Sequence, residues 1–418
     1  MPHFRVVGGQ PLRGEVAVAG AKNAALKLIL AALLTGEEVR LSNVPEIADV
    51  ARLVELLRAL GVKVENSAGG HYTIRADSFT TTELSREHAP KIRVSTLAIG
   101  PLLAREGRVT LPHPGGCALG KRPIDLFIEG FTAFGGRAEE GEDELTFTAN
   151  RLHAARFVFP FVSHTVTEAL LMLASRVPGV STLVNAAMEP EVSQLAEMLR
   201  SMGAKIKGDG TPTITIEGVE RLAGAAVKVM PDRLEVGSFA ALAAATRSEL
   251  TITHCDPAAV EVPLAHLAKI GVPLEVGRDF VKIRPAGELR ALNITTHEYP
   301  GFPTDLQAPF TVLLTQAAGE SLVHETIFDG RLFYTDKLNT MGAKITLLDP
   351  HRAIVRGPTP LRGKHLESPD IRAGLALLVA ALAAEGESKI ENISQIDRGY
   401  ERIEERLAAL GANIRREE

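Results

Sequence analysis

The most reactive side chain in this sequence stands in a loop rich in glycine and proline. Cys117 lies in residues 111–123, LPHPGGCALGKRP, between an expected strand and an expected helix. Lys121 and Arg122 follow closely, and nearby cations lower the pKa of a thiol. Such a cysteine can act as an acid or a nucleophile at neutral pH. The other cysteine, Cys255, ends an alternating strand pattern and is expected to pack in the core.

A second group of polar side chains stands at the start of apolar helical segments, where a core helix does not need them. The group comprises Lys22, Asn23, Arg93, Ser163, His164, Glu235, Ser238, Asp305, Asp370 and Arg372. Helix N-termini present unpaired N–H groups and a positive dipole end, so they suit anions. Helix capping is the alternative for Ser163, Ser238, Asp305 and Asp370. Capping does not explain Lys22, Arg93 and Arg372, because a cation opposes the helix dipole at a helix start, and these three should contact an anionic ligand or a carboxylate.

Other common chemistries have little support in the sequence. Residues 115–121 fit the start of a P-loop, but Arg122 stands where Ser or Thr should bind magnesium. No H-E-x-x-H motif or clear histidine cluster indicates a metal site. The net charge of −5 and the absence of tryptophan argue against nucleic acid as a partner. No apolar stretch is long enough to span a membrane and no signal layout begins the chain, so we expect a cytoplasmic protein.

The elements that must position these residues form an internal repeat. An apolar residue, a glycine and a small residue recur six times, at Gly61, Gly135, Gly203, Gly271, Gly342 and Gly411. Each phrase ends an amphipathic helix, with glycine in the usual C-terminal stop position. A strand precedes that helix, and before the strand comes a helix apolar nearly all round, which must be buried. The pattern predicts six repeats of strand, buried helix, strand, surface helix, strand, strand.

A chain of 418 residues is too long for one ordinary core, and three repeats fit each of two domains. We expect residues 20–229 to form the domain with the cysteine loop, and residues 1–19 plus 230–418 to form the second. The first strands, within residues 4–18, should then pair with the C-terminal half. Two crossings of the chain between domains favour a hinged cleft between them, where ligands commonly bind.

The motifs resemble those of the UDP-N-acetylglucosamine enolpyruvyl transferases. The matching stretches, in the family's order, are GAKNAAL (20–26), PGGCALGKRPIDL (114–126), EPE (189–191), FPTDLQ (302–307), ETIF (325–328), DIRA (370–373) and IDRGYER (396–402). The resemblance implies an α/β fold of two inside-out, barrel-like domains with three repeats each. It also implies that no metal or organic cofactor is needed, since the substrates carry the reactive groups.

The implied reaction moves the enolpyruvyl group of phosphoenolpyruvate onto the 3′-hydroxyl of UDP-N-acetylglucosamine and releases phosphate, at the start of peptidoglycan precursor synthesis. Addition followed by elimination needs a general acid, a general base and cations around the phosphate and carboxylate. By resemblance, Cys117 is the acid, can carry a covalent phosphoenolpyruvate adduct, and is the target of fosfomycin. Asp305 is the base, and Lys22, Arg122 and Arg398 hold phosphoenolpyruvate.

The resemblance also implies the remaining binding residues. Asp370 and Arg372 would lie near phosphoenolpyruvate. The contacts to the nucleotide sugar would come from Asn23, Arg93, Arg122, Pro123, Ile124, Asp125, Leu126 and Ile327. Val162 and Asp305 would also bind substrate. No partner beyond the two substrates is implied, and a monomer is expected.

The chain departs from the family in two stretches. Residues 159–165 read FPFVSHT where many members have FPSVGAT against the uridine diphosphate. His164 would offer a new phosphate contact there, or Phe161 would obstruct the usual pose. His113 and Pro114 are extra residues ahead of the two glycines of the cysteine loop.

Two alternatives stay open. The shikimate-pathway enolpyruvyl transferase shares the fold and the donor, but it typically has Lys-Ser where this chain has Lys22 and Asn23. A non-catalytic paralogue that binds a nucleotide sugar should lack Cys117, Asp305 or Arg398. All three are present, and only the altered residues 159–165 favour a paralogue.

Overall fold

The computed structural model describes residues 2–112 and 124–418. The expected site residues Cys117, Arg122 and Pro123, and the insertion at His113 and Pro114, lie outside the described residues. The described chain divides into two compact units, each with its own hydrophobic core. Residues 20–112 with 124–230 form the central unit, and residues 2–19 with 231–418 form the terminal unit.

Both units contain helices and strands in alternation. The described helices are α1 (Lys22–Ala31), α2 (Ala48–Ala59), α3 (Ile99–Glu106), α4 (Asp125–Ala133), α5 (His164–Ala174), α6 (Pro190–Ser201), α7 (Arg233–Ala245), α8 (Glu261–Ile270), α9 (Thr304–Leu314), α10 (Thr335–Thr340), α11 (Ile371–Ala383), α12 (Ser394–Asp397) and α13 (Ile403–Ala409). The described strands are β1 (His3–Val7), β2 (Arg13–Ala17), β3 (Val39–Ser42), β4 (Lys63–Ser67), β5 (His71–Arg75), β6 (Arg108–Pro112), β7 (Arg137–Glu140), β8 (Glu144–Thr148), β9 (Arg156–Val158), β10 (Gly179–Val184), β11 (Lys205–Lys207), β12 (Thr213–Gly218), β13 (Ala225–Lys228), β14 (Glu249–Thr253), β15 (Leu274–Val276), β16 (Phe280–Ile283), β17 (Ile294–Thr295), β18 (Gly319–His324), β19 (Lys344–Asp349), β20 (Arg352–Gly357), β21 (His365–Glu367), β22 (Glu387–Glu391) and β23 (Asn413–Glu417).

Six of the helices are the apolar ones that the sequence places in the interior. Helices α1, α3 and α5 contribute to the core of the central unit, and α7, α9 and α11 to that of the terminal unit. In α7 every residue from Arg233 to Ala245 is buried. A helix without a polar face cannot border water along its length, which is why these helices are enclosed. The prediction of six buried helices is confirmed.

Six small sheets surround these cores in the described residues, five of four strands and one of three. Strand order is the same in each four-stranded sheet, as in β9, β10, β12 and β11, or β17, β18, β20 and β19. The first strand pairs in parallel with the second, and the remaining strands are antiparallel. Each sheet therefore corresponds to one copy of the predicted repeat, although three of the sheets take one strand from a distant part of the chain. The α/β fold of six repeats is confirmed.

The N-terminal strands complete sheets that the C-terminal half begins. Strand β1 lies between β22 and β23, antiparallel to both, and β2 pairs in parallel with β14. Strand β13 lies parallel to β3 in the central unit. The expected pairing of the first strands with the C-terminal half is confirmed.

The repeat glycines have a common conformation at the end of each surface helix. All six adopt φ between 90° and 113°, in the left-handed region that a side chain disfavours. This conformation turns the chain out of the helix and into the next strand. Among the described residues, no helix combines the length and the apolar character needed to cross a membrane.

Candidate active site

A carboxylate held by two arginines lies at the start of helix α9 in the terminal unit. Asp305 Oδ1 accepts a hydrogen bond from Arg331 Nη1, and Asp305 Oδ2 lies 2.8 Å from Arg372 Nη2. The distance from Asp305 Oδ1 to Arg331 Nη1 is also 2.8 Å. Both arginine side chains are buried, at 5% and 7% exposure, whereas Asp305 is 22% exposed. The arrangement fixes the orientation of a carboxylate that is still open to solvent.

Further contacts hold the two arginines in place. Arg331 Nη1 also donates to the Thr304 carbonyl, and its guanidinium lies 4.8 Å from the centre of the Phe328 ring. Arg372 Nη1 donates to the Tyr400 hydroxyl at 2.9 Å. Burial lowers the pKa of the Arg372 guanidinium, but the charge of Asp305 raises it, and the net pKa lies above its ordinary value. Arg372 is therefore a permanent cation beside Asp305.

Asp370 acts as the cap of helix α11. Its Oδ1 accepts hydrogen bonds from the amides of Arg372 and Ala373, at 2.8 and 3.0 Å. The cap satisfies two orphan N–H groups and fixes the first turn of the helix that carries Arg372.

Ile327 and Arg398 lie in loops of the terminal unit. The Ile327 amide donates to Glu325 Oε1 at 2.9 Å, within the short segment after strand β18. Arg398 follows helix α12, is half-buried, and donates to Gln395 Oε1 at 3.1 Å. A guanidinium on a short loop can present several donors to an anion.

In the central unit, Lys22 is the first residue of helix α1. Its Nζ lies 2.8 Å from Asp49 Oδ2, and both side chains are buried. Asp49 stands in the first turn of α2, where a carboxylate also interacts favourably with the helix dipole. The carboxylate compensates for a cation at a helix start, so the structure supplies the anion that Lys22 requires. Asn23 follows Lys22 and is half-buried.

The other expected nucleotide-sugar residues lie at the starts of three further helices of the central unit. Arg93 is half-buried and begins a 3₁₀ turn, Arg93–Ala98, that leads into α3. Ile124 and Asp125 form the N-terminus of α4, where Asp125 is exposed and Leu126 is buried. Val162 precedes the cap of α5 and is half-buried.

Beneath the start of α5 lies a buried ion pair that the sequence analysis did not identify. Lys27 Nζ is 3.3 Å from Glu168 Oε1, and His164 Nδ1 is 3.6 Å from Glu168 Oε2. Burial lowers the pKa of His164, but the hydrogen bond and charge of Glu168 outweigh that effect, so its pKa is raised. His164 itself is about half exposed. The altered residues 159–165 thus include His164, an imidazole that is more readily protonated because it lies beside the buried Glu168 carboxylate.

Of the four residues that the sequence suggested as helix caps, two are caps and two are not. Ser163 caps α5 by accepting from the Val166 amide, and Asp370 caps α11. The cap of α7 is Asp232 rather than Ser238, and the N-cap position of α9 is Pro303 rather than Asp305. Capping was therefore wrong for Ser238 and Asp305, because each lies inside its helix.

Cys255 is buried, as expected, and its Sγ lies 3.6 Å from the Ile252 carbonyl oxygen. Burial raises the pKa of this thiol to about 11, so it is inert at neutral pH. Across residues 2–112 and 124–418, no group of three or more His, Cys, Asp or Glu side chains has the arrangement of a metal site.

Several polar residues of these clusters were not assigned a role from the sequence, chiefly Arg331, Glu325, Tyr400 and Asp49. Glu325 and Tyr400 lie inside the matched motifs ETIF and IDRGYER, which was a usable signal. The position of Asp49 in the first turn of a helix was a second signal, because Lys22 needs a carboxylate. Arg331 carried no comparable signal.

Comparison with known proteins places this geometry in a family. The family model of EPSP synthase (3-phosphoshikimate 1-carboxyvinyltransferase) matches residues 6–407. A UDP-N-acetylglucosamine 1-carboxyvinyltransferase of Koribacter versatilis is 44% identical over 419 aligned residues, covering 100% of this chain and 96% of that protein. The chain belongs to the UDP-N-acetylglucosamine 1-carboxyvinyltransferase family. A further member of this family, from Magnetococcus marinus, is 43% identical over 100% of this chain and 99% of its own.

Solved structures agree with the family assignment. The enolpyruvyl transferase NikO from Streptomyces tendae superposes with a TM-score of 0.91 and 26% identity, covering 99% of this chain and 98% of its own. EPSP synthase from Acinetobacter baumannii gives a TM-score of 0.74 at 18% identity over the full length of both chains. The second likeness shows the fold that the family shares.

Proposed function

We propose that this protein transfers the enolpyruvyl group of phosphoenolpyruvate to the 3′-hydroxyl of UDP-N-acetylglucosamine and releases phosphate. The observation that carries the proposal is the identity of 44% from end to end with a relative named for this activity. The chain also keeps a cysteine, an aspartate and an arginine at positions 117, 305 and 398, where the family's motifs place its chemistry. The reaction begins peptidoglycan precursor synthesis, and we place it in the cytoplasm with the enzyme acting as a monomer.

In the addition step, C3 of phosphoenolpyruvate gains a proton while the sugar 3′-oxygen bonds to C2. Cys117 donates that proton, and Asp305 accepts the proton that the hydroxyl loses. In the elimination step, the C2–O bond to phosphate breaks, a proton leaves C3, and the enol double bond re-forms on the transferred group. All three proton transfers need groups within hydrogen-bond reach of the reacting atoms.

Cations stabilise the charge of the donor throughout the reaction. Lys22, Arg122 and Arg398 bind phosphoenolpyruvate, and Arg372 and Asp370 support the same region. Charge-assisted hydrogen bonds to phosphate and carboxylate are strong when water is excluded, so they can stabilise the departing phosphate. The buried Arg331 and Arg372 hold Asp305 in one orientation, and this reduces the reorganisation needed when it accepts the proton.

The acceptor contacts come from helix starts. Asn23, Arg93 and Val162, with residues 122–126, bind the nucleotide sugar, and Ile327 contacts it from the segment after β18. Backbone N–H groups at helix N-termini suit the diphosphate. His164 adds an imidazole to this surface, with its pKa raised by Glu168.

The test is phosphate release from phosphoenolpyruvate with each of two acceptors, UDP-N-acetylglucosamine and shikimate 3-phosphate. We expect release with the nucleotide sugar alone and its loss in Cys117→Ser. Cys255→Ser is the matched control, since that thiol is buried in the core and should leave the rate unchanged. Release with shikimate 3-phosphate would assign the chain to the other acceptor. Binding of the nucleotide sugar without release would indicate a non-catalytic paralogue.

A further inference from the structure

Glu325 is a fully buried carboxylate in the terminal unit with a role that the proposed reaction does not assign. The Thr304 hydroxyl lies 2.9 and 2.8 Å from its two oxygens. The amides of Ile327 and Phe328 donate to Oε1 at 2.9 and 3.2 Å. Hydrogen bonds to an ionised, buried acceptor are among the stronger ones in proteins. One side chain therefore connects the start of α9 to the segment 326–328.

Each end of this connection adjoins a residue with a proposed role. Thr304 immediately precedes Asp305, and its carbonyl accepts a hydrogen bond from Arg331, which also holds the Asp305 carboxylate. Ile327, at the other end, is a proposed contact to the nucleotide sugar. A shift of Glu325 would therefore move the general base relative to the segment that contacts the acceptor.

Separate contacts fix the residues that precede Ile327. The Thr326 amide donates to Thr296 Oγ1 at 2.8 Å, and the Thr326 hydroxyl donates to the Thr296 carbonyl at 2.6 Å. The Glu325 amide donates to the His351 carbonyl at 2.7 Å. These bonds anchor the backbone of 325 and 326 to Thr296, which directly follows β17, and to His351 in the turn between β19 and β20. The carboxylate extends that anchor forward to 327 and 328 and across to α9.

We propose that Glu325 is a positioning residue that sets the distance between Asp305 and the Ile327 segment, and so aligns the acceptor hydroxyl with the base. The inference rests on the proposed function. A purely structural carboxylate would affect the stability of the fold. A positioning carboxylate also affects the rate, because even a small displacement of the base from the acceptor hydroxyl lowers kcat.

The test uses Thr304→Val, which removes the hydroxyl that Glu325 holds while keeping the shape of the side chain. Thr304→Ser, which restores the hydroxyl, is the rescue variant. Thr311→Val is the matched control, because the buried Thr311 hydroxyl bonds to Gln307 within the same helix. Steady-state kinetics with phosphoenolpyruvate and UDP-N-acetylglucosamine and thermal unfolding are measured for all four proteins.

We expect Thr304→Val to lower kcat about 10-fold and to raise the KM of the nucleotide sugar several-fold, with the KM of phosphoenolpyruvate within about 2-fold of wild type. Thr304→Ser should recover at least half of the wild-type kcat. Thr311→Val should lower the Tm by about as much as Thr304→Val does, but its kcat should stay within about 2-fold of wild type. Equal kcat losses in Thr304→Val and Thr311→Val, or no recovery in Thr304→Ser, would overturn the inference.

Hydrogen exchange supplies a readout that does not depend on turnover. Glu325→Gln removes the charge and faces the amides of Ile327 and Phe328 with a weaker acceptor, so their exchange should accelerate about 10-fold or more. Unchanged exchange would refute the anchoring role by itself. A wild-type protein that turns over neither acceptor would instead refute the proposed function, and the positioning role with it.

Discussion

Replacing Lys27 by methionine removes the cation from a buried ion pair in the central unit. Lys27 Nζ lies 3.3 Å from Glu168 Oε1, and the two side chains are 5% and 1% exposed. The Coulomb attraction at this separation is about 5 kcal/mol for an effective dielectric constant of about 20. Taking both charges out of water offsets most of this gain, so the pair contributes little net stability. A single unpaired member, by contrast, is costly.

We expect Lys27→Met to lower the free energy of unfolding by about 3–5 kcal/mol, and Glu168→Met to do the same. The double variant should lie between wild-type stability and about 4 kcal/mol above it, because two apolar side chains then replace the buried charges. At a pH where His164 is protonated, the loss in Lys27→Met should be near the lower end of this range, about 3 kcal/mol. Its Nδ1, 3.6 Å from Glu168 Oε2, then provides a counter-charge.

The assay is urea unfolding followed by circular dichroism, with the three variants measured beside wild type. Lys63→Met is the matched control, since Lys63 Nζ lies 3.1 Å from Asp77 Oδ2 but the two side chains are 73% and 50% exposed. That exposed pair should contribute less than about 1 kcal/mol. A loss in Lys27→Met no larger than in Lys63→Met would refute the reasoning. A double variant as unstable as the two single losses added together would refute it as well.

Three further predictions follow from the same structure. The pKa of His164 is raised above 6.5 by Glu168, so protonated His164 stabilises the fold below about pH 6.5, and this contribution is lost as pH rises through the raised pKa. In urea unfolding, His164→Ala should therefore lose more free energy of unfolding at acidic than at alkaline pH, and equal losses would contradict this. The pKa of Cys255 is about 11, so Cys255→Ser should leave iodoacetamide labelling at neutral pH unchanged by mass spectrometry, whereas Cys117→Ser should abolish it; rapid labelling at Cys255 would show that its thiol is accessible. At Gly411 φ is 95° and an added Cβ meets nothing within 4 Å, so Gly411→Ala should cost about 1–2 kcal/mol from backbone strain alone, and an unchanged thermal unfolding curve would oppose this explanation.

The fold could be predicted from the sequence because its signals are local and repeated. A glycine such as Gly61 or Gly411 marks the end of a surface helix by its own backbone freedom. A continuous apolar segment such as α11 must be buried wherever the rest of the chain lies. Six occurrences of both signals at a nearly constant spacing left little choice of architecture.

The partners of the charged residues could not be predicted in the same way. Lys22 required an anion, but only the packing of α2 beside α1 shows that Asp49 supplies it. The pairing of Asp305 with both Arg331 and Arg372 depends on contacts between a loop and two helices. Such contacts leave no period or spacing in the sequence.

The start of helix α7 shows a related limit. The sequence suggested Ser238 as a cap because the uninterrupted apolar segment begins after it, yet the helix begins at Arg233. Its first turn includes Glu235, which is buried and accepts hydrogen bonds from Arg406 and the Ala19 amide. A charged residue can belong to a buried helix when distant partners satisfy it, and those partners are not adjacent in sequence.

The most direct test of the central claim is to follow the transferred group itself. Phosphoenolpyruvate labelled with ¹³C at C2 is incubated with UDP-N-acetylglucosamine and the enzyme, and the products are separated and identified by mass spectrometry and ¹³C NMR. We predict that the label appears in the nucleotide-sugar product as an enol ether on the 3′-oxygen, with one phosphate released for each label transferred. Label that stays in phosphoenolpyruvate, or appears in pyruvate while the nucleotide sugar is unlabelled, would contradict the account.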